Sequence, residues 1–403
     1  METKLEEIFK IYIGKFEDLL KKIQNETSSY EFEKEFNILH KKFGQKIYQG
    51  MVGKVPKSKN EQITILTSMG DVTFAKGHPL AVTPGRFKIS AYVQEQLCRV
   101  GTKIIFEEAS EEINKLMGIE TNAKQIERLC HHYGELLEQV DWRESYNDSV
   151  QLKIPTTKGI TYAMMDGSML LTRQKDEPWK EVKLCRAFQN SERVENISNK
   201  RNYIGHSNYV AHLGGHHDFF DKVLEMLPTQ VPLVFICDGA KWIWNWIDEY
   251  FPASRQILDF YHCKEHLFAF AKTFYPKEEN LAQKWVDTCI DSLMDQKVEE
   301  LLTEIGQLPC NSKQVEKEKV KLFNYLQNNI KRINYGLYKK EGLLYGSGAI
   351  ESANRTVIQK RMKLSGQRWT LQGAQQMLNL RVCFKNGQNQ KLRSLILDYK
   401  NVA

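Results

Sequence analysis

The fold class of this chain is decided by one stretch of sequence, Ile160-Thr161-Tyr162-Ala163-Met164-Met165-Asp166-Gly167. Upstream of it, apolar residues recur mostly at the spacing of helices, whereas here they form a short run that ends in an acid and a glycine. A short apolar run bounded by a turn signal is typical of a buried strand. The stretch therefore predicts the first strand of a sheet.

Further elements follow downstream in the order expected of an α/β domain. The predicted elements are strands over 182–188, 203–211, 231–237 and 256–261 and helices over 219–227 and 242–250. Strands come first and a strand–helix–strand unit follows, which indicates a mixed sheet. Residues 264–340 are rich in Lys and Glu and are predicted to be helical. A helical block therefore interrupts the α/β domain.

The region before this domain is predicted to be mostly helical. Residues 1–44 carry apolar side chains at helical spacing, and residues 62–74 have the pattern of a strand hairpin. Residues 106–133 read as helix, short Gly118 turn and helix, a geometry whose second helix can enter a DNA major groove. A plain helical hairpin is the commoner alternative.

Composition excludes several classes of protein. The chain has 403 residues, of which 41% are hydrophobic and 27% charged, so wholesale disorder is not expected. Its length predicts two to four domains. No run approaches the roughly eighteen apolar residues of a membrane span, and the acidic start does not resemble a secretory signal. The eight cysteines include no C-x-x-C pair, as in reduced intracellular proteins. We therefore expect a cytoplasmic protein without a membrane partner.

Positive charge is concentrated near the C-terminus. The whole chain carries a formal net charge of +7, whereas residues 352–403 contain ten basic residues and one acid, a net charge of +9. A concentrated basic region favours a polyanionic partner, of which nucleic acid is the commonest. A solvated helical surface is the ordinary alternative.

Three acids are candidates for a metal site. Asp166 and Asp238 each follow an apolar strand and precede a glycine, and ligands of α/β sheets bind at strand ends. Glu351 falls in the first turn of a helix expected to begin near Ser347, where the helix dipole favours a charged carboxylate. Together they could hold Mg²⁺ ions that promote displacement at phosphorus. Common Asp-Gly turns and a Glu351–Arg355 surface pair are the alternatives.

Three blocks of sequence resemble bacterial insertion-sequence transposases of the DDE type, in the Mutator-like group that includes the ISKra and ISLre families. The blocks are YAMMDGS (162–168), CDGAKWIW (237–244) with QILDFYH (256–262), and GSGAIESAN (346–354) with QKRMK (359–363) and GQRW (366–369). Their order and approximate separation fit that group. The resemblance covers roughly residues 85–385.

This resemblance implies an RNase H-like catalytic domain with an all-helical insertion. Asp166, Asp238 and Glu351 would form its metal-binding triad for two Mg²⁺ (or Mn²⁺) ions. A D-x-x-H motif of the group matches Asp259 and His262, which would support the metal ligands or position DNA. A strand-end histidine bound to a backbone group is an equal alternative for His262.

The resemblance also implies double-stranded DNA as the partner, both element ends and target, bound by a homodimer or higher oligomer. The basic helix face after Glu351 would follow DNA phosphates, contacts that position a duplex without specifying its sequence. The expected DNA-binding residues are Arg355, Lys360, Arg361, Lys363, Arg368 and, for stacking or wedging, Trp369.

The expected function is that of a DNA transposase associated with the nucleoid. It would bind the terminal inverted repeats of its element, cleave DNA and join 3′ ends to target DNA by two-metal phosphoryl transfer. A nuclease that cuts without joining, and a non-catalytic DNA-binding protein derived from a transposase, are the alternatives. The expected domains are an N-terminal helical and basic region with a small hairpin (1–84), a helix-turn-helix-like DNA-binding domain (85–150), the first part of the catalytic core (151–263), the helical insertion (264–344), the final core helix with the basic segment (345–387) and a tail (388–403).

Overall fold

The chain folds into two compact units. A computed structural model describes residues 2–23, 28–83, 87–139, 159–196, 201–228 and 232–397. One unit contains Met1–Val140 and Asn379–Ala403, and the other contains Asp141–Leu378. Within the described residues, no helix has both the length and the apolar character needed to span a membrane.

The first unit begins with a helical hairpin, a strand hairpin and three further helices. These are α1 (Glu2–Ile23), α2 (Ser29–Met51), β1 (Gln62–Thr67), β2 (Gly70–Ala75), α3 (Ala91–Gly101), α4 (Phe106–Met117) and α5 (Ala123–Gln139). The predicted helix–Gly–helix pattern is confirmed: α4 ends at Gly118, whose φ of 52° is a left-handed conformation that favours glycine. Asn122 then accepts the Gln125 N–H at 2.9 Å before α5.

The second unit is built on a five-stranded mixed sheet. Its strands are β3 (Thr161–Leu171), β4 (Trp179–Gln189), β7 (Asn208–Leu213), β8 (Leu233–Cys237) and β9 (Arg255–Leu258), while β5 (Arg193–Asn196) and β6 (Arg201–Ile204) pair separately. The sheet order is β7-β4-β3-β8-β9. Strand β4 pairs antiparallel with both β3 and β7, whereas β8 and β9 run parallel to β3. The predicted α/β class with a mixed sheet is thus confirmed.

Helices surround this sheet and form the block that interrupts it. They are α6 (His217–Met226), α7 (Lys241–Tyr250), α8 (Phe260–Phe274), α9 (Glu279–Met294), α10 (Val298–Gln307), α11 (Lys313–Asn328), α12 (Tyr335–Lys340), α13 (Gly348–Ala353), α14 (Lys360–Met362), α15 (Leu371–Lys385) and, back in the first unit, α16 (Asn389–Leu397). Between α13 and α14, Asn354–Gln359 is π-helical. In the part of the chain that the structure describes, short 3₁₀ helices span Lys59–Glu61, Asn190–Glu192 and Ile330–Arg332. The helical block predicted over 264–340 corresponds to α8–α12.

Burial of apolar strands and aromatic side chains explains the core of the second unit. All five residues of β8 are buried, and Tyr162 in β3 is fully buried. Trp246 of α7 stacks on Phe220 of α6 with ring centroids 4.3 Å apart. The tryptophan-rich helix therefore packs in the core, as its apolar pattern predicts.

Three predicted elements differ from the structure. The strand expected over 203–211 is divided between β6 and β7, which belong to separate sheets. The strand expected over 256–261 ends at Leu258, because Asp259 caps α8 by accepting backbone N–H groups of its first turn. The segment expected to be a tail (388–403) contains the packed helix α16, whose Leu392 and Ile396 are buried and which contacts α3 and α5. Arg393 of this helix binds Glu95 at 3.1 Å, so part of the C-terminal charge lies within the first unit.

Candidate active site

Asp166 and Asp238 lie side by side where two parallel strands stop pairing. The last residue pair between β3 and β8 is Met165 with Cys237; Asp166 is the next residue of β3, and Asp238 directly follows the end of β8. We expected β3 to end at Asp166, but it continues to Leu171 because it remains paired with β4. The parallel pairing of β3 with β8 stops just before Asp166. Beyond that point the edge of β3 that faced β8 is free, and both carboxylates lie there.

The two carboxyl groups share an environment that disfavours charge. Burial, and after it the charge of Asp238, raises the pKa of Asp166 to about 6. Hydrogen bonds from the Gly167 N–H and Asn354 and the positive charge of His262 act in the opposite direction. Burial also raises the pKa of Asp238, against a hydrogen bond from the Ala240 N–H. Among the described residues, nearby positive charge therefore does not balance the negative charge of the Asp166–Asp238 pair.

Glu351 is held by the residue that precedes its helix. The Ser347 hydroxyl lies 2.8 Å from Glu351 Oε1 and 2.9 Å from Asp259 Oδ2. Since a hydroxyl has one proton, it donates to one of these carboxylates at a time. Ser347 occupies the predicted position before α13, but its side chain contacts carboxylates and makes no capping hydrogen bond to the backbone.

Asp259 joins the start of α8 to the start of α13. Its carboxylate is fully buried and accepts the N–H groups of Tyr261 and His262, at 3.3 and 3.1 Å. It also accepts the N–H of Ser347 at 2.8 Å, besides the hydroxyl contact. These donors satisfy the hydrogen-bonding capacity of the buried carboxylate oxygens. Asp259 thus fixes Ser347, and Ser347 contacts Glu351.

His262 lies in the first turn of α8, so the alternative of a strand-end histidine is wrong. Its own N–H binds Asp259, and its Nδ1 is 3.4 Å from Glu265 Oε2. When protonated, its imidazole lowers the pKa of both Asp166 and Asp238. His262 is therefore close enough to the acid pair to influence it electrostatically.

Two polar contacts that the sequence analysis missed attach the Glu351 helix to the sheet. Asn354 donates from its side-chain amide to Asp166 Oδ2. Arg186 of β4 donates to the Ala349 carbonyl at 2.7 Å. Asn354 is three residues beyond Glu351, a spacing that places both on one helix face. The spacing of Asn354 from Glu351, and the position of Arg186 inside an apolar strand, are the sequence features that could have predicted these two contacts.

A fourth acid, also missed, stands beside the pair. Glu181 of β4 accepts from Lys183 Nζ at 2.7 Å, and Lys183 also donates to the Gly214 carbonyl at 2.7 Å. The negative charge of Glu181 contributes to the raised pKa of Asp238. Its carboxylate lies against Gly167, where a Cβ would collide with it.

Gly167 and Gly239, which follow the two aspartates, leave room for side chains of the protein itself to pack closely against the backbone. A Cβ at Gly239 would lie 2.6 Å from the ring of Tyr325, which comes from α11 of the helical block. Tyr325 in turn stacks on His266 with centroids 3.8 Å apart. Neither Gly167 nor Gly239 has a positive φ, so the expected tight turn is not what requires them. The helical block therefore contacts the turn that carries Asp238.

The carboxylates of Asp166 and Asp238 suit a divalent cation, whereas the third predicted ligand, Glu351, is not gathered with them. Within the described ranges, no three His, Cys, Asp or Glu residues are gathered into a group able to hold a metal ion. Asp166 and Asp238 are adjacent, and Glu351 is bound to Ser347. Carboxylate oxygens are the ligands that Mg²⁺ prefers, and the uncompensated pair would gain from a cation.

The predicted DNA-contact residues divide into exposed and buried ones. The exposed ones are Arg355, Lys360, Lys363 and Arg368. Arg361 is only 1% exposed and lies over the ring of Trp369, itself 7% exposed with its indole N–H bound to the Met362 carbonyl at 3.0 Å. These two residues stabilise the segment from inside, which corrects the expectation that they contact phosphates or bases.

Comparison with known proteins places most of the chain in one family. Residues 55–395 match the family described as "Uncharacterised protein family (UPF0236)". The matched range includes all the site residues above and leaves α1 and α2 outside it. No curated protein matches the chain.

Proposed function

Because the chain belongs to the uncharacterised protein family UPF0236, we propose its function from its own site: it is a DNA transposase of the DDE type. It would bind the terminal inverted repeats of its element, cleave them and join the 3′ ends to target DNA. The observation that carries this proposal is the adjacency of Asp166 and Asp238 at the end of paired parallel strands. The helix of Glu351 is attached to the same strand through Asn354.

The order of strands supports an RNase H-like catalytic domain. Strand β3, the first of this sheet along the chain, is central. Strands β4 and β7 lie on one side of it, and β8 and β9 lie on the other. Strand β4 runs antiparallel to β3, and β8 and β9 run parallel to it. This is the arrangement expected of that fold, and the helical block before Glu351 corresponds to the insertion that the resemblance implies.

Asp166 and Asp238 would hold a first Mg²⁺ or Mn²⁺ ion, and Glu351, which contacts Ser347 here, would have to move towards them to complete a two-ion site. When bound, such ions activate the attacking hydroxyl and neutralise the charge on the leaving oxygen. The protein's own part is to orient the ligands before substrate arrives: the Gly167 N–H binds Asp166 at 2.8 Å and the Ala240 N–H binds Asp238 at 3.1 Å. Fixed donors of this kind reduce the reorganisation needed during reaction.

The exposed basic residues after Glu351 would bind the DNA backbone. Lys363 supports this because its Nζ reaches Ser168 Oγ at 3.3 Å, two residues beyond Asp166 on β3. Cations beside the acids would hold phosphates next to the metal ligands. We propose that α4 and α5 read the element ends and that two protomers pair them.

The test uses purified protein, Mg²⁺ and duplexes carrying the inverted repeats that the proposal expects on either side of the gene. Wild-type protein should cleave an intact end and join a pre-cleaved end to target DNA. Asp238→Asn should abolish both products and retain DNA binding in a gel-shift assay, whereas the exposed Asp248→Asn should behave as wild type. Cutting without joining would indicate a nuclease. Binding without either product in the wild type would indicate a non-catalytic derivative.

A further inference from the structure

The α1–α2 hairpin presents an apolar stripe that its own packing leaves partly exposed. Phe9, Ile13, Phe16 and Leu20 recur at intervals of four, three and four residues along α1, the spacing of a helix–helix seam. Phe9, Ile13 and Leu20 are 46%, 54% and 55% exposed. Towards α2, Tyr12 and Leu19 are buried, and the rings of Phe9 and Phe16 contact Phe43 and Phe36 at centroid distances of 5.3 and 5.2 Å. The stripe therefore borders the α1–α2 seam, and its exposed part is available to another helix.

An aromatic groove continues this stripe onto α2. It has a volume of about 300 Å³ and is lined by Phe16, Leu20, Phe32, Phe36, His40 and Phe43. Its lining is apolar apart from His40, and Phe36 remains 40% exposed. An apolar surface of this kind on a soluble domain marks a site of protein contact.

Charges beside the stripe identify the partner. Exposed residues Glu6, Lys10, Glu17 and Lys21 alternate in sign along one side of it. If a second α1 lies antiparallel, Glu6 meets Lys21 and Lys10 meets Glu17. In that register Phe9 and Leu20, and likewise Ile13 and Phe16, lie about 3 Å out of level along the helix axes, an offset that their side chains span. A parallel copy would place each charge against itself, so α1 complements itself in the antiparallel direction only.

We propose that α1 pairs antiparallel with α1 of a second copy of this chain, about a two-fold axis. Each copy then covers the apolar stripe of the other, and its Phe9 closes the groove beside Leu20. The same patch serves both partners, as in an isologous interface. Burial of the exposed apolar side chains provides the driving force. This dimer requires neither DNA nor the acid site.

The test measures the molar mass of the full-length protein, without DNA, by size-exclusion chromatography with light scattering at micromolar concentration. We expect a dimer for the wild type and a monomer for Ile13→Glu/Leu20→Glu. The matched control is Ile11→Glu, an equally exposed residue (51%) on the other side of the same helix, which should stay dimeric. Circular dichroism establishes that each variant is folded. A monomeric wild type, or a dimer that survives Ile13→Glu/Leu20→Glu, would overturn the proposal.

Charge exchange tests the direction of pairing. Lys10→Glu should weaken the dimer about tenfold, because symmetry repeats the lost pair twice and each exposed pair contributes up to about fivefold. Combining it with Glu17→Lys should restore the wild-type dissociation constant. A double variant that stays as weak as the single one would exclude the antiparallel register.

Discussion

Asn354 donates a hydrogen bond from its side-chain amide to Asp166, although 188 residues separate them along the chain. The contact connects the helical stretch that carries Glu351 to the central strand of the sheet. The other amide atom, Asn354 Oδ1, is buried and has no hydrogen-bond partner among the residues that the structure describes. The geometry of the acid site thus depends on a contact between segments that meet only in the folded protein.

Asp166→Asn should stabilise the folded protein at neutral pH. The pKa of Asp166 rises from 3.8 to about 6 on folding, so the folded state binds this proton more tightly than the unfolded state. The charged carboxylate therefore destabilises the fold above about pH 6, and the effect disappears as pH falls below about 4. We expect a gain of the order of 2 kcal/mol at about pH 8 and none at about pH 4. Urea unfolding in EDTA at both pH values measures it, and an equal gain at both would contradict the cause.

Magnesium should stabilise the wild type through the acid pair. A cation that binds only the folded state raises its free energy of unfolding, by about 2.7 kcal/mol at a hundred times the dissociation constant. We expect the thermal midpoint to rise by several degrees with MgCl₂ and to stay constant in Asp166→Asn/Asp238→Asn. NaCl at equal ionic strength is the control. The same shift in both proteins would remove the pair from the cation site.

Ser347→Ala should slow catalysis more than it weakens DNA binding. The variant loses the contact that holds Glu351 and one donor to the buried Asp259, at a cost of about 1 kcal/mol in stability. We expect roughly tenfold slower cleavage at saturating DNA with an unchanged DNA dissociation constant. Ser347→Thr, which keeps the hydroxyl, should recover most of the rate. Failure of threonine to rescue would argue against a positioning role for the hydroxyl.

The exposed and buried basic residues should respond differently to alanine. Replacing Lys360, Lys363 and Arg368 together should weaken DNA binding and reduce the salt slope by nearly three, since each phosphate contact contributes about 0.9. Arg361→Ala should leave that slope unchanged and lower the free energy of unfolding by about 1–3 kcal/mol, because it removes packing against Trp369. Titrations at several salt concentrations and urea unfolding separate the two effects. Equal slopes for all the variants would place the DNA elsewhere.

The sequence was sufficient for features that depend on local pattern. Continuous apolar runs predicted β3 and β8, and Gly118 predicted the end of α4. The buried roles of Arg361 and Trp369 could not be predicted, because a charge count does not say which side chains face inward. The same holds for Glu181, which reaches the acid pair only through the pairing of β4 with β3. The N-cap function of Asp259 is local, but its bonds to Ser347 join residues 88 apart.

The π-helical turn at Asn354–Gln359 sets the angular phase between Glu351 and the cations that follow it. A π turn contains one residue more than an α turn for the same rotation around the helix axis. If this turn wound as ordinary α-helix with no residue removed, Lys360 and Lys363 would be rotated by about 100° around the axis. The acid and the lysines would then point to different sides, even with every side chain of the site still present. A one-codon deletion in this turn would instead preserve their relative direction, because it removes the extra residue.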